Sequence, residues 1–198
     1  MRGAPPIDDI IALRARISVA RGRLDEGLGQ ASAILQRDQT HCDALLAKAQ
    51  ADIAKGHALD AINASQMAAS SCPQLATAYL VLARAHQLHG SRESVDIAFR
   101  DGFERNGQNF GLTHAYTDWL EQTGQGTRAL AIARRLTINT PALLSGWKLY
   151  LELCARVPDA NCKNEAGAGL AIARRRFGVD FRSGERPLIS LFGRLSQK

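Results

Sequence analysis

The sequence predicts an all-α fold, an α-solenoid of stacked helix-turn-helix units, and three observations carry that prediction. Gly22, Gly56, Gly90 and Gly124 recur at one constant interval without a slip, and that interval, thirty-four positions, is a period of the length that marks helical repeat arrays. Ala15, Ala49 and Ala83 stand seven residues before the first three glycines, and the small Thr117 takes that place before the fourth. Aromatic residues make up only 6% of the chain while alanine is abundant, which suits closely packed helices better than sheets. At 198 residues the chain is long enough to spread a continuous core along a stack of such units.

Within each unit the glycine separates two helices. It ends the first because it accepts a left-handed conformation cheaply. The predicted helix pairs are 7–21 and 24–37, 41–55 and 58–71, 75–89 and 92–106, then 109–123 and 126–139. Pro73 and Pro141 follow the second and fourth glycines by seventeen residues. After Cys72 and Thr140 they are expected at the first position of a new helix, where a missing N–H costs nothing. Ser91 is the expected N-cap of the second helix of the third unit. Small residues would let the backbones approach at the crossings: Ala15, Ala49 and Ala83 on first helices, Ala61 and Ala129 on second helices. Leu45, Tyr79, Leu82 and Tyr116 would fill the gaps between successive units.

Residues 8–143 resemble the tetratricopeptide repeat family as four units, about 8–41, 42–75, 76–109 and 110–143. The family's small eighth residue matches Ala15, Ala49 and Ala83, its turn glycine matches the four glycines, and its late proline matches Pro73 and Pro141. The sequence departs from the pattern at Gly27 and Val95, which replace the usual alanine of the second helix, and at Gln39 and Gly107, where proline is usual. The resemblance implies a right-handed superhelix that binds other proteins and catalyses nothing. A degenerate fifth unit, 144–177, is expected to cap the stack, with Trp147 and Tyr150 on its first helix, an enlarged turn from Val157 to Asn161, and a second helix from about Cys162 to Phe177. Beyond this 1–177 solenoid, 178–198 reads as a loop followed by a short amphipathic helix, Leu188 to Leu195, which either folds back on the last helix or projects as a docking peptide; folding back is the preferred expectation.

In the family the first helices line a concave groove. Matching positions are Asp9, Ala12, Arg16 and Val19, then Leu46, Gln50 and Ile53, then Leu80, Arg84 and Gln87, and finally His114, Asp118 and Glu121. Arg16 and Arg84 offer paired donors to a carboxylate, or are simply solvated. Ala12 and Arg16 stand where some members carry the Lys and Asn that clamp a terminal carboxylate, which argues against a chaperone-tail receptor.

No phosphate-cradling glycine loop, nucleophile motif or metal-spaced His pair occurs, so no catalytic residue, cofactor or metal is expected. His86 and His89 share a helix without a nearby third ligand, and His57 and His114 read as ordinary helix residues. The expected function is a scaffold or adaptor that takes a peptide or helix in the groove. One alternative is an accessory repeat module of an envelope-assembly or transferase enzyme complex. Another is nucleic-acid binding through Arg134, Arg135 and Arg174 to Arg176, suggested by the formal charge of +6 and pI near 9.5. It ranks last, because no long basic block occurs and few aromatics accompany these arginines. Self-association through an uncapped apolar end is a further possibility.

Four cysteines complete the reading. In a helical hairpin the start of the first helix lies near the end of the second, bringing Cys42 toward Cys72. The end of the first lies near the start of the second, bringing Cys154 toward Cys162. Either these form two disulfides, which predicts an oxidising compartment such as a bacterial periplasm, or they are four reduced thiols packed as small apolar residues. No apolar run approaches the roughly 20 residues of a membrane span, and Met1 to Pro6 lacks the apolar segment of a secretory signal. The expectation is therefore a cytoplasmic protein, or an exported one whose signal has been removed.

Overall fold

The computed structural model describes residues 7–157 and 160–177, and among them every regular element is an α-helix. Four hairpins appear in order: α1 (Ile7–Ala20) with α2 (Leu24–Leu35), α3 (Cys42–Lys55) with α4 (Ala58–Ser71), α5 (Ala76–His89) with α6 (Arg92–Asn106), and α7 (Phe110–Gln122) with α8 (Gly126–Asn139). A fifth follows, α9 (Leu144–Arg156) with α10 (Ala160–Phe177). The expected loop and amphipathic segment at 178–198 lie outside the described residues. Residues 158 and 159 of the expected enlarged turn also lie outside them, and Ala160 and Asn161, expected in that turn, instead belong to α10, which starts two residues before Cys162.

Two kinds of turn, each closed by backbone hydrogen bonds, set the repeat. Gly22, Gly56, Gly90 and Gly124 are left-handed, with φ of 79°, 79°, 86° and 77°. Each donates its N–H to the carbonyl three residues back, and the next residue donates to the carbonyl five back, as His57 does to Asp52 at 2.8 Å. This pair of hydrogen bonds closes the last turn of the first helix and satisfies carbonyls that would otherwise be orphaned. Between units, the carbonyls of Asp38, Cys72, Asn106 and Thr140 accept the N–H groups of His41, Leu75, Asn109 and Leu143, at the same interval as the glycines.

Pro73 and Pro141 occupy the second position of that inter-unit turn, not the first position of a helix, since α5 starts at Ala76 and α9 at Leu144. Fixed φ, rather than a dispensable N–H, explains them: proline suits the second residue of such a turn. Caps start the helices behind the turn. Ser91 accepts from the Ser94 N–H as expected, Asn109 does the same for Leu112, and His41 Nδ1 for Ala44.

The contacts divide the chain into two compact units, with the boundary after Ile132, inside α8. In the first unit each second helix packs on the first helix of its own hairpin and of the next: α2 on α1 and α3, α4 on α3 and α5, α6 on α5 and α7. First helices also pack on one another, α1 on α3, α3 on α5 and α5 on α7. Ala15, Ala49, Ala83, Ala61 and Ala129 are fully buried, as close crossings require. Gly27 is needed for the same reason: a Cβ there would stand 2.5 Å from Val19 Cγ2 and 2.8 Å from the Ala15 carbonyl oxygen. In the second unit α10 packs on α9, with Tyr150, Leu153, Cys154, Cys162, Ala166 and Ala173 buried. The Trp147 ring lies against Gly169, where there is no room for a side chain.

Both expected cysteine pairs are disulfides. Cys42 and Cys72 join the start of α3 to the residue that ends α4, with Cα atoms 6.3 Å apart. Cys154 and Cys162 join α9 to α10 at a Cα distance of 5.5 Å. Among the described residues no cysteine is free.

Candidate partner-binding surface

Because α1, α3, α5 and α7 lie side by side, residues at one register position of these helices form a row. Three such rows contain the residues expected from the sequence: Ala12, Leu46, Leu80 and His114; Arg16, Gln50, Arg84 and Asp118; Val19, Ile53, Gln87 and Glu121. Leu46, Ala12 and Val19 are buried, so they act as the floor beneath the surface and are not open to a ligand. Gln50, Ile53 and Leu80 are half-buried, and Arg84, Gln87 and His114 are exposed.

Two charged pairs on this surface join neighbouring hairpins, and a third lies within α7. The Arg16 guanidinium donates to Asp43 Oδ1 of α3 at 2.6 Å. His41 accepts the Ala44 N–H at Nδ1, so Nε2 carries the proton and faces Asp9 Oδ1 at 3.1 Å. His114 Nδ1 lies 3.2 Å from Asp118 one helical turn on. Arg84 is exposed and forms no ion pair among the described residues. Sequence reasoning placed Arg16 and Arg84 together as equivalent donors; the structure separates them. The missing signal was in the sequence: the position that Asp43 holds relative to Arg16 is held, relative to Arg84, by Gly111.

Leu45, Tyr79, Leu82 and Tyr116, expected to fill the gaps between successive units, are all buried. Tyr116 is 1% exposed and stacks on Phe99 with ring centroids 5.2 Å apart. Its hydroxyl donates to Asp96 Oδ1 at 3.0 Å and accepts from Arg128 at 2.9 Å. Buried Leu45 and, one unit on, Tyr79 and Leu82 also contribute to the lining of two open furrows, of about 210 and 160 Å3. The second furrow also holds His86, whose Nδ1 is buried without a hydrogen-bond partner among the described residues. Burial, and then neighbouring His89, holds that imidazole below its ordinary range.

Burial, reinforced by the Asp96 bond and charge, pushes the Tyr116 phenol from 10.0 up to about 12. Burial also raises Tyr79 and Tyr150, the latter with help from Glu165. Because the folded chain holds these protons longer than the unfolded chain, the stability they carry is complete below pH 10.0 and is lost as pH rises toward about 12 for Tyr116. An ultraviolet titration of tyrosinate should therefore show all three tyrosines ionising above the ordinary value, and Tyr116→Phe should remove the highest step. A titration with one midpoint at the ordinary value would contradict this burial.

Two further surfaces bear on the expected partners. Of the arginines considered for nucleic acid, Arg134 is tied to Glu165 at 2.8 Å. On α1, Ile7, Ile10, Leu13 and Ile17 form an exposed apolar stripe; the same register on α3 is Ala44, Ala47 and Ala51, all fully buried. Among the described residues, no helix is long and apolar enough to cross a membrane.

No family model and no curated protein matches the sequence. Solved structures do. The fold is similar to that of MamA, with a TM-score of 0.56 at 14% identity over 87% of this chain and 95% of that one. It is similar to TTC0263, a thermophilic TPR protein in Thermus thermophilus, with a TM-score of 0.55 at 18% identity over 87% of this chain and 93% of that one. It is also similar to YrrB, described as a TPR protein with an unusual peptide-binding site, with a TM-score of 0.52 at 12% identity over 84% of this chain and 86% of that one. The chain has the tetratricopeptide-repeat fold.

Proposed function

We propose that this chain is a non-catalytic protein-protein interaction scaffold that takes an extended peptide or a helix along the face of α1, α3, α5 and α7, with Arg84 receiving an acidic group of the ligand. One observation supports this reading above the rest. Arg16 is neutralised by Asp43 of the next hairpin, whereas the register position that would neutralise Arg84 is Gly111. The result is an exposed guanidinium without a carboxylate partner among the described residues, beside half-buried Leu80 and exposed Gln87. Guanidinium offers a planar fork of donors that matches a carboxylate, and α-solenoids bind extended ligands along such faces.

The test is a displayed peptide library panned on the wild-type chain and on Arg84→Glu. Peptides rich in Asp or Glu should be enriched on the wild type. Their affinity should fall about 10- to 100-fold on Arg84→Glu, the loss of a charge-assisted hydrogen bond of roughly 1.5–3 kcal/mol. Arg84→Lys, which keeps the charge and loses the fork, should fall between. Peptides that bind all three variants equally would remove this face from consideration.

A further inference from the structure

Lys48, Leu82, Tyr116 and Tyr150 occupy one register position in successive hairpins. Tyr116 turns into the space between α6 and α8, against Phe103 of α6 at a centroid distance of 6.4 Å and Arg128 of α8. Tyr150 meets α10 through a hydrogen bond from its hydroxyl to Glu165 Oε2 at 3.2 Å. Lys48 is drawn elsewhere: its ammonium donates to Asp52 Oδ2 at 2.7 Å along its own helix, and the Asp52 side chain is only 4% exposed. The space that a tyrosine fills farther along the chain is consequently open between α2 and α4.

That furrow has a floor of Leu45 and Ala64 and walls that include Leu35 and Met67, and its volume is about 210 Å3. An apolar cavity of roughly 150 Å3 is enough to hold a benzene ring. Its polar end is also the right one for a phenol. Of the groups bonded to the two tyrosine hydroxyls, Arg128 and Glu165 stand at the register of Asp60 and Asn63, which both line the furrow, and the third, Asp96, stands at the register of Leu28. The next furrow, at Leu82, is smaller at about 160 Å3 and carries Gln66, His86, Ser94 and Asp101, so it suits a ring less well.

We propose that the α2–α3–α4 furrow is a socket for a tyrosine side chain of a protein partner, which there takes the place that Tyr116 and Tyr150 take from within. This socket lies on the second-helix side and does not depend on the face that carries Arg84.

Met67 is one of only two methionines in the chain, so a sample labelled at the methionine methyl carbon reports on the furrow directly. Titration with 4-methylphenol should move the Met67 signal saturably. Lys48→Arg, which keeps the Asp52 pair and leaves the furrow open, should retain the shift. Lys48→Tyr/Asp52→Leu reproduces the Tyr116 and Leu120 pair of the fourth hairpin without stranding a buried carboxylate. It should remain helical and reduce the shift at least about tenfold, because its own ring fills the site. Toluene, which lacks the hydroxyl, should bind several-fold more weakly. An unmoved Met67 signal, an undiminished shift in the double variant, or toluene binding as tightly as the phenol overturns the assignment. Arg84→Glu should leave the shift intact, so this socket and the first-helix face succeed or fail separately.

Discussion

Removing the Cys42–Cys72 bridge is expected to lower the unfolding free energy by about 3.5 kcal/mol, and removing Cys154–Cys162 by about 2.5 kcal/mol. These values follow from the entropy a crosslink takes from the unfolded chain, applied to sequence separations of 30 and 8 residues. Position adds to the first effect. Gly56 closes the α3–α4 hairpin at one end, and the disulfide closes it at the other, where Cys72 is the residue that terminates α4. The two bridges belong to different compact units, so their losses should add. Urea unfolding of Cys42→Ala/Cys72→Ala and of Cys154→Ala/Cys162→Ala, followed by circular dichroism, checks both figures. A midpoint unchanged from that of the oxidised parent would mean that neither hairpin relies on its crosslink.

Tyr116→Ala should cost about 3–5 kcal/mol, the range for deleting a large buried aromatic side chain. The ring contacts Phe99, Phe103 and Trp119, and its hydroxyl joins Asp96 to Arg128. Tyr116→Phe keeps the ring and should cost about 1 kcal/mol, the net worth of a typical hydrogen bond. Comparing the two substitutions by urea unfolding separates packing from polarity. If Phe were as damaging as Ala, the Asp96–Tyr116–Arg128 cluster rather than the ring would hold α6, α7 and α8 together.

The boundaries of the helices were legible because each depends on a local signal. A glycine that must be left-handed leaves a mark in the sequence wherever it falls, and recurrence once per unit multiplied that mark. The cysteine pairs were legible too, since hairpin geometry alone places the ends of two helices together. What the two prolines do was misread, because proline fits both the first turn of a helix and the second position of a β-turn, and only the Thr140-to-Leu143 and Cys72-to-Leu75 hydrogen bonds separate these. The surface was harder. Leu46 and Gln50 differ by one helical turn, yet neighbouring helices cover the first and leave the second half-buried. Whether Arg16 is free depends on Asp43, and whether the Lys48 furrow is open depends on Asp52. Such pairings become visible in the sequence only when residues at equivalent positions of successive units are compared, a comparison that single-unit periodicity does not make.

The hydrogen-bonded turns also decide which kinds of sequence change this chain can absorb. Most folds gain new specificity by lengthening loops, but here both turns are as short as their hydrogen bonds allow. One extra residue within a helix would rotate everything after it by about 100° around the axis, moving the buried alanines into solvent. Insertions and deletions are thus largely closed off, and diversity must enter by exchange of single side chains at fixed stations, as lysine, leucine and tyrosine do at positions 48, 82 and 116.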